Sequence, residues 1–151
     1  MGSGKSTIAK LLRKRLSNTA IIEIEDIRVL LTEEDNGLAW KIIYRMCDEY
    51  FKNGVSVLLN QTVASEELAE KFIKLAKRYK CNIGFYHLKA SGTELRKRIS
   101  LRSKFRTATK NLINSNISKH SLIKYPNAIE IDTSKTTPIQ ALKIVMNNLS
   151  R

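Results

Sequence analysis

The chain has 151 residues, a length typical of one domain, and 42% of them are hydrophobic, as expected for a protein with a packed core. Lys and Arg number 27 against 14 Asp and Glu, and the net charge of +13 favours anionic partners, although a lysine-rich solvated surface explains the same excess. No apolar stretch approaches the roughly 20 residues that cross a bilayer, so no membrane contact is expected. Cys47 and Cys81 have the spacing of neither a disulfide framework nor a zinc site, which predicts reduced thiols in a cytoplasmic protein.

Hydrophobic periodicity predicts alternating helices and strands along the chain, which is typical of an α/β domain with a mainly parallel sheet. One domain over residues 1–151 accounts for all of them. The predicted elements are a helix from the Gly4–Lys5 turn to about Leu16, a strand from Ala20 to Ile24, a helix from about Glu33 to Lys52, a strand from Val55 to Leu59, a helix from Ser65 to Tyr79, a strand from Asn82 to Leu88, a helix from Thr93 to about Ser103, a strand from Ala128 to Ile131, and a last helix capped by Thr137 that reaches Leu149.

The first predicted helix follows a glycine-rich motif. Residues 2–7 read Gly-Ser-Gly-Lys-Ser-Thr, which is the second half of the phosphate-binding pattern G-x-x-x-x-G-K-[ST]. Glycines let backbone N–H groups curl around phosphates at a helix N-terminus, where the helix dipole favours negative charge. In this chemistry Lys5 reaches the β- and γ-phosphates, Ser6 ligates Mg²⁺ and Thr7 supports the loop. The residues expected to bind ATP–Mg²⁺ here are Gly2, Ser3, Gly4, Lys5, Ser6 and Thr7.

The motif lacks its usual beginning. The first glycine of the full pattern would precede Met1, and so would the apolar strand that leads into the loop. In P-loop kinases this strand lies in the middle of the sheet, so its loss leaves neighbouring strands without a partner. We therefore expect that about ten residues are missing at the start, and that the fold is a P-loop NTPase three-layer α/β/α sandwich without its N-terminal strand.

Further segments agree with the loop. The order in which carboxylate, amide and basic residues follow the predicted strands resembles the small P-loop kinases, which include phage-type polynucleotide 5′-kinases and zeta-toxin-like kinases. The resemblance covers nearly the whole chain and implies ATP-dependent transfer of a phosphoryl group to a hydroxyl. Besides the loop, the segments that carry it are Ile24 to Arg28, Leu58 to Thr62, Thr93 to Arg102 and Ile129 to Ser134.

The resemblance implies roles for residues on the acceptor side. Glu25 would accept the proton of the acceptor hydroxyl, with Asp26 as the second candidate, and Arg28 would bind or position the acceptor. The alternative is that both carboxylates are plain loop residues that cap the next helix. Asn60 occupies a substrate-binding position where the family usually has Asp, and an amide cannot act as a metal-bound base.

The resemblance also implies a lid. From Leu95 to Lys124 there are nine Lys or Arg and no Asp or Glu, so a basic lid-like segment is expected around 95–124. Arg98 and Arg102 would be lid arginines that contact ATP, and Arg102 would stabilise charge on the transferring phosphoryl group. A solvated helix face is the alternative. By the same resemblance Asp132, Thr133 and Ser134 would lie near the adenine.

Two functions remain open at this point. The first is a kinase acting on a nucleotide, a nucleic-acid end or a small metabolite, and the basic segment favours the first two acceptors. The second is a catalytically weak ATP- or nucleic-acid-binding protein, which Asn60, the incomplete loop and the net charge favour. Trp40 and Tyr44 are interpreted as core residues, with a cover over the acceptor as the alternative. The sequence does not indicate an oligomeric state.

Overall fold

The computed structural model describes residues 2–31, 36–63, 65–101 and 127–149. Helices and strands alternate along these residues, which confirms the predicted α/β class. None of the helices described is long and apolar enough to cross a membrane. In chain order the elements are α1 (Lys5–Arg13), β1 (Thr19–Ile22), α2 (Ile24–Arg28), α3 (Asn36–Lys52), β2 (Ser56–Leu59), α4 (Glu66–Arg78), β3 (Tyr86–Lys89), α5 (Gly92–Ser100), β4 (Ile129–Asp132) and α6 (Pro138–Leu149).

The strands form two parallel pairs. β1 pairs with β2 in a register that aligns Ile22 with Leu59, and β3 pairs with β4 so that Lys89 aligns with Asp132. The chain divides into two compact units, of which the first comprises residues 1–8 and 84–151 and the second comprises residues 9–83. Because the carboxyl ends of parallel strands meet at one edge, each unit brings the residues that follow its two strands together.

The second unit is held by an apolar core. Each of its large side chains contributes about 1.5–3 kcal/mol when fully buried. Trp40 and Tyr44 pack beside this core against Phe72, with ring centroids 6.0 and 5.9 Å apart, which confirms their interpretation as packing residues. The buried core residues are Ile22, Ile24, Ile27, Ala39, Ile43, Cys47, Phe72 and Leu75.

Helix caps confirm two predicted helix starts. Thr137 and Gln140 form a reciprocal capping box, since the Thr137 N–H donates to Gln140 Oε1 at 2.9 Å and the Gln140 N–H donates to Thr137 Oγ1 at 3.3 Å. Pro138 takes the first helical position, where its missing N–H costs nothing. Ser65 caps α4 by accepting a hydrogen bond from the Leu68 N–H at 3.2 Å.

The prediction that a strand continues to Ile24 is wrong. β1 ends at Ile22, Glu23 has extended backbone, and the short helix α2 begins at Ile24. Ile24 and Ile27 are both buried, because three-residue spacing on a helix places them on one face. Glu25 and Asp26 therefore lie in the first turn of α2 and do not close a strand, contrary to the sequence analysis.

Other observed element boundaries differ from the predicted ones by a few residues. α1 ends at Arg13 and not near Leu16, because the N–H of Arg15 bonds to the carbonyl of Leu12, three residues back, in a tightened last turn. β3 begins at Tyr86 and not at Asn82. Residues 102–124 of the expected lid, including Arg102, lie outside the described residues.

The two cysteines provide a test of the core of the second unit. Burial raises the pKa of Cys47 to about 12, so its thiol stays protonated and unreactive far above neutral pH. Cys81 is free and only half-buried. We expect iodoacetamide at about pH 8 to alkylate Cys81 much faster than Cys47 in the folded chain, as measured by peptide mass spectrometry. In concentrated urea both should react at similar rates. Equal rates without urea would contradict the buried position of Cys47.

Candidate functional site

The glycines of the phosphate-loop motif have the backbone geometry that such a loop needs. Gly2 and Gly4 have φ angles of +78° and +90°, a region that residues with a Cβ rarely adopt. A Cβ on Gly2 would also approach Leu95 Cδ2 to 3.2 Å. The carbonyl of Gly4 accepts the Ile8 N–H at 3.0 Å, so α1 starts directly at the motif. The N–H groups of the first turn of a helix have no intrahelical acceptor, and they can bind an anion there.

The three polar residues of the motif occupy the start of α1. Lys5 is half-buried at the first helical position, and Ser6 and Thr7 are exposed in the same turn. All three residues therefore lie within the one helical turn that follows the loop. Their predicted roles in phosphate and Mg²⁺ binding remain predictions.

Arg98 connects the loop to two other segments of the first unit. Its Nε donates to Glu94 Oε1 on α5 at 2.8 Å, and its Nη1 donates to the carbonyl of Gly2 at 3.3 Å. Nη1 and Nη2 also donate to Oγ1 and the carbonyl oxygen of Thr133 at 2.9 and 2.7 Å. With 30% of its side chain exposed, Arg98 holds the loop against the end of β4. Its predicted role as a lid arginine remains a prediction.

Thr133 makes the second connection. It is buried, with 8% of its surface exposed, and its N–H donates to the carbonyl of Lys89 at 2.8 Å. Its hydroxyl lies 3.2 Å from the carbonyl oxygen of Ser3 and 3.0 Å from that of Lys89, and the single O–H can donate to either. Thr133 therefore joins the loop to the carboxyl ends of β3 and β4.

Asp132 and Ser134 shape the segment around Thr133. Asp132 Oδ1 accepts the Ser134 N–H at 3.0 Å, and this hydrogen bond holds the pKa of Asp132 below its usual value. Ser134 Oγ accepts the Ser91 N–H at 2.7 Å, and Ser91 in turn caps α5 by accepting the Glu94 N–H at 3.2 Å. Asp132 and Ser134, two of the three residues predicted near the adenine, thus shape the loop that follows β4, and the adenine contact remains a prediction.

A cavity of about 260 Å³ adjoins the loop within the first unit. Its wall combines glycine backbone, hydroxyl groups, one guanidinium and apolar side chains, a mixture typical of small-molecule sites. Sequence analysis identified part of this lining, including Thr7, and missed Ile8 and the residues at and just before the start of α6. The available signal was the Thr-Thr-Pro sequence at residues 136–138, which is separated from a parallel strand by three residues. The lining residues are Gly2, Gly4, Thr7, Ile8, Arg98, Thr133, Thr136, Pro138 and Ala141.

The residues predicted for the acceptor lie in the second unit. Glu25 and Asp26 are exposed, and Glu25 pairs with Arg28 on the same helix at 3.1 Å. Asn60 is buried, and its Nδ2 donates to Glu23 Oε1 at 2.6 Å. Sequence analysis missed Glu23, because the predicted strand ran to Ile24 and included it, whereas β1 ends at Ile22.

Comparison with known proteins identifies the family. The AAA domain family matches residues 1–119, which is more than half of the chain. The structure is similar to a solved structure described as a sugar kinase from Janibacter sp. HTCC2649 without ligand, with a TM-score of 0.73 and 20% identity over 99% of this chain and 89% of the other. No curated protein matches the sequence. The predicted P-loop NTPase-like α/β fold is confirmed, whereas the resemblance to the polynucleotide-kinase and zeta-toxin subgroup remains a prediction. The chain belongs to the AAA domain family.

Proposed function

We propose that the protein is an ATP-dependent kinase that transfers the γ-phosphoryl group to a hydroxyl of a nucleotide, a nucleic-acid end or a small metabolite. The observation that carries this proposal is the left-handed backbone at Gly2 and Gly4, directly before Lys5 at the start of α1. This sequence of conformations offers backbone N–H groups and one ammonium to a polyphosphate. The family and the fold shared with a protein described as a sugar kinase support a kinase-like role.

ATP would bind along the first unit. In this proposal its phosphates contact the backbone of residues 2–4, with Lys5 at the β- and γ-phosphates and Thr7 beside the loop. The adenine would enter the cavity beside the loop, between Arg98 and Thr133 on one side and the start of α6 on the other. Asp132 and Ser134 would contribute by holding the loop after β4 in shape.

The donor atoms fit Mg²⁺ brought in with the nucleotide. Ser6 offers an exposed hydroxyl oxygen at the start of α1, and Mg²⁺ prefers oxygen ligands and retains several waters. Within the described ranges, no group of three or more His, Cys, Asp or Glu could hold a metal ion without the nucleotide. The metal, when bound, supplies positive charge to the β- and γ-phosphate oxygens.

The acceptor would depend on residues of the second unit. Glu25 and Asp26 remain the proposed bases, Arg28 and Asn60 remain proposed acceptor contacts, and Arg102 remains the proposed stabiliser of the transferring group. Phosphoryl transfer requires mainly positioning and positive charge, so these residues would act without forming covalent bonds to the substrate.

Substitution of the loop lysine tests nucleotide binding. ATP–Mg²⁺ at about 100 times its dissociation constant stabilises a protein by about 2.7 kcal/mol, which corresponds to several degrees in Tm. We expect this shift in the wild type and in Lys10→Ala, whose lysine is exposed further along α1, but not in Lys5→Ala. An equal shift in Lys5→Ala would contradict the proposed site. A shift without phosphoryl transfer to any hydroxyl acceptor would instead support a nucleotide-binding protein without kinase activity.

Substitution of Arg98 tests how the loop is held. Arg98→Ala leaves the carbonyl groups of Gly2 and Thr133 without their charged donor, so we expect a loss of about 1–3 kcal/mol in unfolding free energy by urea titration. We also expect weaker ATP binding, because the loop loses its connection to β4. Arg96→Ala, which removes an exposed arginine from the same helix, should change stability by less than about 0.5 kcal/mol. Similar effects of both substitutions would refute the specific role of Arg98.

A further inference from the structure

The two residues that follow the paired strands of the second unit meet side by side. Glu23 comes directly after β1 and Asn60 directly after β2, and the register aligns their predecessors Ile22 and Leu59. The Asn60 N–H donates to the carbonyl of Ile22 at 2.9 Å, which continues the strand pairing by one residue. The side-chain bond from Asn60 Nδ2 to Glu23 Oε1, at 2.6 Å, then fixes both side chains at the carboxyl edge of the pair.

This pair is partly removed from water, and its hydrogen-bonding capacity is only partly used. Asn60 is 9% exposed and Glu23 is half-buried. In the parts of the chain that the structure describes, Glu23 Oε2 and Asn60 Oδ1 have no hydrogen-bond partner, and Glu23 forms no ion pair. Two acceptor atoms and the second N–H of the Asn60 amide are thus available next to each other. A half-buried carboxylate with one amide partner favours a further donor, because lost contacts with water have to be replaced.

The neighbouring carboxylates are in a different situation. Glu25 and Asp26 are exposed in the first turn of α2, where negative charge stabilises a helix start, and Glu25 is already paired with Arg28. Both therefore have a structural role beside the one proposed above, whereas helix stabilisation does not account for the bond between Glu23 and Asn60, which lie 37 positions apart.

We propose that Glu23 and Asn60 form the binding site for a hydroxyl group of the phosphoryl acceptor, and that the acceptor is an uncharged polyhydroxylated small molecule, a sugar or a polyol. The inference rests on the proposed kinase function, because only a kinase would use the bound hydroxyl compound as a phosphoryl acceptor. A hydroxyl group donates its proton to Glu23 Oε2 and accepts the second N–H of Asn60, and an adjacent hydroxyl donates to Asn60 Oδ1. The pair thus offers one N–H donor and two acceptor oxygens. Hydroxyl groups match this set, because each can both donate and accept a hydrogen bond.

The charge of the pair decides between classes of acceptor. A phosphate group has only acceptor oxygens and a negative charge, so it would meet the Glu23 carboxylate with repulsion and without a proton to donate. A neutral hydroxyl meets the same carboxylate with a charge-assisted hydrogen bond, which is roughly twice as strong as a neutral one. The pair therefore selects the hydroxyl-rich part of a small molecule over the phosphodiester backbone of a nucleic acid.

Steady-state kinetics of the full chain test this assignment. Phosphoryl transfer from labelled ATP–Mg²⁺ is measured with D-glucose, D-ribose and glycerol as neutral probes and with a 5′-hydroxyl oligothymidylate as the nucleic-acid probe. We expect transfer to a neutral probe, and we expect Glu23→Gln to raise the KM of that probe about tenfold or more, because the charge-assisted bond becomes a neutral one, while the KM of ATP stays constant. Glu70→Gln, on the exposed face of α4, is the matched control and should leave both constants unchanged.

A second variant gives a signature that a purely structural role would not produce. Asn60→Asp places a second carboxylate next to Glu23, and two carboxylates at this distance hold one proton only when the pH is lowered. We expect the KM of the neutral probe to be raised at neutral pH and to approach the wild-type value near about pH 5, where the shared proton replaces the amide donor. Each KM value is compared with that of the wild type at the same pH. Only variants that still unfold cooperatively are used.

Binding without ATP separates this inference from the kinase proposal. Saturation-transfer NMR reports whether the neutral probe binds and whether Glu23→Gln abolishes that binding. Glu23-dependent binding without transfer would refute the kinase function and retain the hydroxyl site. Transfer to the oligonucleotide alone, or transfer to a neutral probe with an unchanged KM in Glu23→Gln, would retain the kinase function and overturn the hydroxyl site. If the probes neither bind nor receive phosphate, both proposals fall.

Discussion

The phosphate loop depends on residues far away in the sequence, which hold its glycine backbone in one conformation. Glycine loses more conformational freedom on folding than any other residue, so a loop with Gly2 and Gly4 in left-handed conformations cannot hold itself in place. Arg98 and Thr133 bind the carbonyl oxygens of Gly2 and Ser3, respectively. Because the carbonyl groups are bound by the protein, the loop conformation is set before a ligand arrives, and pre-organisation of this kind lowers the entropy that binding costs.

The two units carry opposite kinds of hydrogen-bonding group at their functional positions. In the first unit, the start of α1 has backbone N–H groups without an intrahelical acceptor, which suits an anion. In the second unit, the ends of β1 and β2 present the oxygen atoms of Glu23 and Asn60, which suit a neutral donor. The proposed kinase has to bind a highly charged nucleotide and a hydroxyl compound at once, and with these groups each proposed binding site would disfavour the ligand of the other.

Local patterns were sufficient to predict most elements, and the failures have physical causes. The caps at Ser65 and Thr137 depend on residues three or four positions away, so the sequence predicts them well. The run Glu23 to Asp26 alternates polar and apolar residues at first, which resembles a strand, and the three-residue spacing of Ile24 and Ile27 that marks a helix is easily overlooked.

Long-range contacts were beyond the reach of the sequence. The phosphate-loop motif predicted where a phosphate would bind, but no local pattern indicates that Arg98 contacts Gly2, 96 positions earlier, or that Asn60 pairs with Glu23. Which strands become neighbours is likewise set by tertiary packing. Sequence reasoning therefore identified the motif and part of the cavity, and it proposed Glu25 for the acceptor side without knowledge of the contact between Glu23 and Asn60.

The first unit consists of two segments that are far apart in the sequence, and this has a consequence for biosynthesis. The phosphate loop is translated well before Thr133, and the contact between Thr133 and Ser3 spans 130 positions, so the loop waits until Thr133 has left the ribosome. The second unit, residues 9–83, is continuous and can fold while synthesis proceeds. Contacts of such sequence separation form slowly, because a long loop has to close before any bond is gained. The nascent chain therefore has a folded second unit well before it can hold a nucleotide.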